Sequence, residues 1–202
     1  MERLKIIIKE LKEHAPFTAA GALTGAIVMA IVIQVSLSHE THDAIFHFLH
    51  PAHILLSAMV TTAMFRHYSN RTVLTVLIGI TGSITIGTLS DVIFPYLGGT
   101  LLGTDIHLHI CAIESPWLVG IPAIMGVAIA MVYSWTKFPH LGHVMLSTYA
   151  SLFYLTTYGG TTNWIPLIPL VSLILFIAVW LPCCVSDIAY PLLFVKKKKT
   201  KK

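Results

Sequence analysis

The chain has 202 residues, of which 55% are hydrophobic and only 11% are charged, and it carries a formal net charge of +4. Its mean hydropathy is +0.79. About a quarter of the residues in a typical soluble domain are charged, so this composition excludes a water-soluble fold. It predicts an all-α integral membrane protein, in which each helix satisfies its own backbone hydrogen bonds.

Six apolar segments are expected to be transmembrane helices. They span residues 17–37, 51–65, 73–97, 116–135, 142–158 and 164–194. The second and fifth are short for a bilayer crossing, so we expect those helices to be tilted or to begin below the membrane interface. A charged amphipathic stretch precedes the first segment and no small-residue cleavage site follows it, so we do not expect a cleavable signal peptide.

The basic residues predict the orientation of the chain. All 13 lysines and arginines lie in the N-terminal segment, in the second and fourth connections between apolar segments, or in the C-terminal tail. With six helices these regions share one side of the membrane, which the positive-inside rule makes the cytoplasm. We therefore expect a multi-pass protein of the plasma (inner) membrane with both termini in the cytoplasm.

Residues 196–202, KKKKTKK, form a basic cytoplasmic tail. Beside a transmembrane helix, such a tail attracts anionic lipid headgroups by about 1 kcal/mol per charge. We therefore expect membrane lipids, and not nucleic acid, to be its partners. The sequence leaves open whether copies of the chain assemble as a homo-oligomer.

Two motifs occur twice, in the same order. The first, HPAHILLS at 50–57, returns as HLGHVMLS at 140–147, and the second, SDVIFP at 90–95, returns as SDIAYP at 186–191. We interpret the chain as an internal duplication, with a first three-helix repeat at 1–101 and a second at 102–195. Because each half has an odd number of helices, the two repeats have inverted topology, an arrangement found in many secondary transporters.

The repeated histidines have the spacing of helical metal ligands. His50 and His53 are three residues apart, and so are His140 and His143. Each pair therefore lies on one face of a helix and is able to share a metal ion. We expect each pair at the start of its helix, where the helix dipole disfavours a protonated imidazole and so favours coordination.

A repeated aspartate supplies an anionic partner for each histidine pair. Asp91 is expected beside the first pair and Asp187 beside the second, which gives two related metal sites on opposite sides of the membrane. A proline follows each aspartate by four residues, at Pro95 and Pro191. Proline has no N–H to donate to the aspartate carbonyl, so we expect that oxygen to be free for a cation or for water.

Two imidazoles and one carboxylate suit Zn²⁺, Fe²⁺, Mn²⁺ or Co²⁺, so the expected cofactor and partner is a divalent transition metal ion whose identity the ligands do not decide. The alternative is that the same residues only hydrogen-bond the helices to one another. Haem is disfavoured, because its two axial histidines must lie at similar depth and the two pairs are expected on opposite sides of the bilayer.

Other potential ligands are less specific. The first and third connections, expected outside, contain further histidines at His39, His42, His47, His107 and His109. Such a cluster suits metal capture or pH sensing, or it is simply a polar loop. Cys183 and Cys184 are adjacent near the inner end of the last segment, where we expect packing in preference to soft-metal ligation.

The leading hypothesis from these observations is a metal-ion transporter that uses both His-x-x-His plus Asp sites. The first alternative is a membrane-embedded metal-dependent hydrolase, and the second is a non-catalytic assembly or sensor subunit. The sequence contains no glycine-rich phosphate loop, no G-x-S-x-G and no H-E-x-x-H motif. We therefore favour a protein without enzymatic activity.

Overall fold

The computed structural model describes residues 2–35, 37–133, 137–184 and 190–194. All regular secondary structure within these residues is helical. The α-helices are α1 Glu2–Val35, α2 His39–Tyr68, α3 Thr72–Thr88, α4 Phe94–Leu101, α5 Cys111–Glu114, α6 Pro116–Val132, α7 Lys137–Tyr158, α8 Ile168–Cys184 and α9 Tyr190–Leu193. A π-helical turn at Leu89–Ile93 joins α3 to α4, and a 3₁₀ turn at Ile165–Leu167 precedes α8.

Four helical segments in the described part of the chain are long and apolar enough to cross a membrane. They are Thr18–Val35, His39–Tyr68, Thr72–Leu101 and Ile165–Cys183. The predicted all-helical class and the apolar character expected of a membrane protein are therefore confirmed. Helix α6 is apolar but shorter, and the count of six transmembrane helices stays a prediction.

Helix α2 differs from the expected short helix at 51–65. It begins at His39, after the N-cap Ser38, whose hydroxyl oxygen accepts a hydrogen bond from the N–H of Thr41. Glu40 in the first turn is favourably placed beside the positive end of the helix dipole. The helix then continues through Pro51 to Tyr68, so the segment expected to be a histidine-rich loop is its first part.

This extension changes the position of the first histidine pair. His53 lies at the middle of α2, a helix of 30 residues, and His50 lies one turn before it. The prediction that this pair starts a helix is therefore wrong, and the helix dipole does not act on it, because that effect fades within the first turn. His140 and His143 do lie in the first turns of α7.

The π-helical turn follows from Pro95. In an α-helix the proline ring would clash with the carbonyl four residues earlier, which belongs to Asp91. The wider π turn avoids this, and the N–H of Phe94 instead donates to the carbonyl of Leu89, five residues earlier. By that spacing Pro95 lies opposite the carbonyl of Ser90, which therefore lacks a helical donor, and the free carbonyl expected at Asp91 stays a prediction. The Ser90 carbonyl has another partner. It accepts a hydrogen bond of 3.0 Å from the Ser151 hydroxyl.

Helix α2 occupies the centre of the fold and packs against α3, α6 and α7, whereas α1 packs against α7 and α8. Close approach of α6 to α2 depends on Gly126, because a Cβ at this position would overlap the carbonyl oxygen of Leu55. Small residues permit this kind of contact between membrane helices. The packing of α6 thereby fixes the lateral position of the helix that carries the histidine pair.

Replacing Gly126 with alanine is expected to destabilise the protein by about 1–3 kcal/mol, the usual range for overpacking. Gly120→Ala on the same helix is the matched control, because nothing lies within 4 Å of a Cβ there, and it is expected to be neutral or slightly stabilising. Thermal unfolding in detergent measures both. Equal stability of the two variants would contradict the close contact between α6 and α2.

Candidate metal centre

Asp91 is the meeting point of the first histidine pair. Its Oδ2 atom lies 2.8 Å from Nδ1 of His50 and 2.7 Å from Nδ1 of His53. All three side chains are sealed from solvent, with 0%, 2% and 0% exposure for His50, His53 and Asp91. The sequence predicts this partnership, and the structure brings the three residues together.

Two serines complete the surroundings of the carboxylate. The hydroxyls of Ser90 and Ser147 donate to Oδ1 of Asp91 over 2.8 Å and 2.7 Å. The two hydroxyl oxygens also lie 3.2 Å apart. Asp91 therefore receives contacts from α2, from its own π turn and from α7, which belongs to the second half of the chain.

The contacts at Asp91 define which ring nitrogens face away from it. A carboxylate oxygen only accepts, so each Nδ1 carries the hydrogen that it donates, and a neutral ring then keeps its lone pair on Nε2. Nε2 of His50 is buried and has no hydrogen-bond partner among the described residues. Metal-binding histidines commonly have this arrangement, in which one ring nitrogen donates to a carboxylate and the other binds the ion.

The distances suit hydrogen bonds better than direct ligation by all three groups. Tetrahedral bonds of about 2.0–2.2 Å place two ligand atoms roughly 3.3 Å or more apart, whereas each Nδ1 lies less than 2.9 Å from Oδ2 of Asp91. Asp91 is thus better placed to orient His50 and His53 than to bind a metal ion beside them. This refines the role expected for Asp91.

Two residues from the second half of the chain, His143 and Cys183, lie beside His53. The rings of His143 and His53 are stacked, with their centroids 5.7 Å apart and their planes 9° from parallel. One ligand atom each from His53, His143 and Cys183 lies within 4.8 Å of the other two, and all three residues are buried. His53 and His143, expected in two separate sites, therefore lie side by side, because a longer α2 places His53 beside the start of α7.

The other two predicted ligands are His140 and Asp187. The backbone of His140 lies in the first turn of α7, but its side chain is outside the described part of the structure. Asp187 lies outside the described residues altogether. The structure therefore brings together His50, His53, Asp91 and His143 of the six predicted ligands.

Two contributors differ from the sequence interpretation. Ser147 bonds directly to Asp91, although the motif suggested only a serine near its own histidine pair. Cys183, expected to be a packing residue, lies with two histidines. The repeated serine was the signal for Ser147, but proximity of Cys183 to His53 depends on how the two halves pack and has no local signature.

Comparison with protein-family models finds no match to this chain, and no curated protein or solved structure matches it significantly. The fold and the cluster define its class: a chain that is helical in its described part, with candidate membrane spans and buried groups of histidine, aspartate and cysteine that could hold a metal ion.

Ser147→Ala is expected to destabilise the protein by roughly 1–3 kcal/mol, since it removes a hydrogen bond to a buried charged group. The control is Ser172→Ala, which removes only a bond to the carbonyl of Ile168 in the same helix, and a change within about 0.5 kcal/mol is expected there. Thermal unfolding of the purified proteins measures the difference. If both variants unfold together, Ser147 does not support Asp91.

Proposed function

We propose that this chain is a membrane transporter for a divalent transition metal ion, and that His50, His53, Asp91 and His143 form its transport site. Asp91 orients the two histidines of α2, and His53, His143 and Cys183 supply ligand atoms. Zn²⁺, Fe²⁺, Mn²⁺ and Co²⁺ are the candidate ions. The site joins the two halves of the chain, which replaces the two-site scheme expected from the sequence.

The single observation that carries the proposal is the fully buried Asp91 carboxylate in contact with Nδ1 of both His50 and His53. A buried negative charge is costly unless it is paired with a cation. Its partners are two imidazoles and two hydroxyls, and no lysine or arginine of the described part of the chain contacts it. A metal ion bound through the imidazoles would supply the missing positive charge.

The position of the site along the helices supports transport. His53 is at the middle of α2, and Asp91 lies in the π turn within the membrane-length segment Thr72–Leu101. Transporters commonly bind their ions near the bilayer midplane, at interruptions in transmembrane helices. Because the whole cluster is buried, it corresponds to the occluded state of a transporter, in which a bound ion is not accessible from either side of the membrane.

The helix contacts support the inverted repeat. If α1 corresponds to α6, α2 to α7, and α3 with α4 to α8 with α9, contacts should occur in matching pairs. The α1–α8 contact has its counterpart in α6–α3, and the α1–α7 contact has its counterpart in α6–α2. The contact of α2 with α7 maps onto itself, as expected for helices beside the axis that relates the repeats.

The hydrolase alternative is less favoured by this geometry. A catalytic metal keeps an open position that water and substrate reach, and the side chains of His50, His53 and Asp91 are enclosed. A purely structural role for the cluster is also disfavoured, because His53, His143 and Cys183 are buried and one ligand atom from each lies within 4.8 Å of the other two.

The test is metal flux into liposomes that contain the purified protein, with Zn²⁺, Co²⁺ and Mn²⁺ supplied separately. We expect Asp91→Asn to reduce flux of the transported ion at least tenfold, because the substitution keeps the shape of the side chain and removes its charge. Asp105→Asn is the matched control, since Asp105 is exposed and distant in sequence from the cluster, and it should transport like the wild type.

Two outcomes would contradict the proposal. One is that none of the three ions crosses the membrane faster than in protein-free liposomes. The other is that Asp91→Asn, recovered as a monodisperse protein with wild-type yield, transports at the wild-type rate.

The proposed topology is tested with two matched asparagine-to-cysteine substitutions. Asn70 lies in the connection after α2, expected to be cytoplasmic, and Asn163 lies in the connection after α7, expected to be outside; both are exposed. In intact cells, a membrane-impermeant thiol reagent should label Asn163→Cys and not Asn70→Cys, relative to the wild type as blank. Labelling of both, or of Asn70→Cys alone, would contradict the six-helix topology.

A further inference from the structure

Away from the buried site, a second group of potential ligands meets at the beginning of α2. Nε2 of His47 lies 3.2 Å from Nε2 of His109, and Sγ of Cys111 lies 3.5 Å from the same nitrogen of His109. One ligand atom from each of the three residues lies within 4.8 Å of the other two. His47 and His109 are separated by 62 positions in sequence, so tertiary packing brings them together.

The hydrogen bonds of the two histidines orient both Nε2 atoms towards each other. Nδ1 of His47 lies 2.9 Å from the backbone carbonyl oxygen of Asp43 and 3.2 Å from its carboxylate. Nδ1 of His109 lies 2.9 Å from the carboxylate of Glu114. Because these oxygens accept, each Nδ1 carries the hydrogen, and each neutral ring keeps its lone pair on Nε2.

The two carboxylates are themselves held in place. The Tyr158 hydroxyl donates to Oδ1 of Asp43 over 3.0 Å, and the N–H of Ile110 donates to Oε1 of Glu114 over 3.0 Å. The hydrogen bond from Ile110, followed by the neighbouring His109, lowers the pKa of Glu114 below its ordinary value. Glu114 is therefore held where it accepts from His109.

Two nitrogen lone pairs facing each other at 3.2 Å repel unless a proton or a metal cation lies between them. The observed spacing matches a metal ion. With Zn–N bonds of about 2.0–2.1 Å and a Zn–S bond of about 2.3 Å, tetrahedral geometry places two nitrogens about 3.3 Å apart and a nitrogen and a sulfur about 3.6 Å apart.

The chemistry of the group favours a particular class of ion. Two imidazoles and one thiol are the donors that Zn²⁺ and other thiophilic ions prefer, whereas Mn²⁺ prefers oxygen donors. The side chains of His47 and His109 are 27% and 18% exposed, so an ion in solution reaches them. Cys111 is fully buried, and burial raises the pKa of its thiol to about 12, so coordination by this residue releases its proton to water.

We propose that His47, His109 and Cys111 form a second metal site, specific for thiophilic ions such as Zn²⁺, with Asp43 and Glu114 as the positioning residues of its two histidines. Water completes the fourth position. Phe46 separates this site from the buried one: its ring is stacked on His50 at a centroid distance of 5.5 Å and meets the edges of His47 and His109 at 5.2 Å and 6.3 Å. Binding at the second site does not require the buried site to transport.

The neighbouring histidines do not extend the site. His39, His42 and His107 lie along a separate surface cavity of about 500 Å³. His107 is exposed and only two residues from His109, which makes it a matched control for substitution of a ligand.

The experiment is titration of the purified full-length protein in detergent with Co²⁺, followed by displacement with Zn²⁺. Cobalt bound to a thiolate gives a sulfur-to-metal charge-transfer band in the near ultraviolet. We expect this band in Cys183→Ser and in Cys183→Ser combined with His107→Gln, and its loss when Cys111→Ser is added to Cys183→Ser. Cys183→Ser excludes the thiol of the buried cluster as the source of the band.

Glu114→Gln tests the positioning role without altering a ligand or a buried residue. We expect it to weaken Co²⁺ and Zn²⁺ binding about tenfold or more while the charge-transfer band survives at saturation, as for other outer partners of metal-bound histidines. Absence of the band from Cys183→Ser, its persistence when Cys111→Ser is added to that variant, or wild-type affinity in Glu114→Gln would overturn the proposal. The transport proposal is tested by metal flux into liposomes and the second site by cobalt binding in detergent. A negative result in one experiment therefore does not decide the other proposal.

Discussion

The contact of a fully buried carboxylate with two imidazoles is the interaction on which the proposed site depends. Oδ2 of Asp91 holds Nδ1 of both His50 and His53, and its other oxygen accepts from Ser147 of the second half. One side chain thereby fixes the orientation of two rings on α2 and the position of α7 beside them. It also places a negative charge inside an apolar chain, where the two imidazoles and the hydroxyls of Ser90 and Ser147 offset part of the cost of desolvation.

Helix α2 connects the two proposed sites. His47, in its first part, belongs to the proposed second metal site, and His50 and His53, nearer its middle, belong to the buried cluster. Phe46 is buried between them and is stacked on His50. In both clusters the same chemical arrangement recurs: a histidine donates through Nδ1 to an acidic residue and turns Nε2 towards other ligands, which is the usual construction of the outer shell of a metal site.

The sequence was sufficient to predict the contact between Asp91 and the first histidine pair. The spacing of His50 and His53, and the need of a buried Asp91 for a partner, were enough to predict their contact. Hydropathy did not predict the start of α2, because the cap at Ser38 and the packing of the histidine-rich segment, and not its apolarity, extend the helix to His39. That extension is why His53 meets His143.

The contacts between the two halves of the chain could not be predicted from the sequence. The stacking of His53 with His143 and the approach of His47 to His109 depend on the relative depth and rotation of whole helices. Those are set by packing over many residues, including close contacts such as that at Gly126. Pro95 predicted a break in helical hydrogen bonding, but which carbonyl loses its donor depends on the π turn that forms around the proline.

The central claim is that histidines from both halves hold a single metal ion, and the zinc content of three variants tests it most directly. Zn²⁺ bound per chain after dialysis is measured by elemental analysis for the wild type, His53→Ala, His143→Ala and the double variant. A shared site predicts that each single variant loses the same one equivalent and that the double variant loses no more. Unchanged zinc in the single variants, or losses that add up to two equivalents in the double variant, would contradict it.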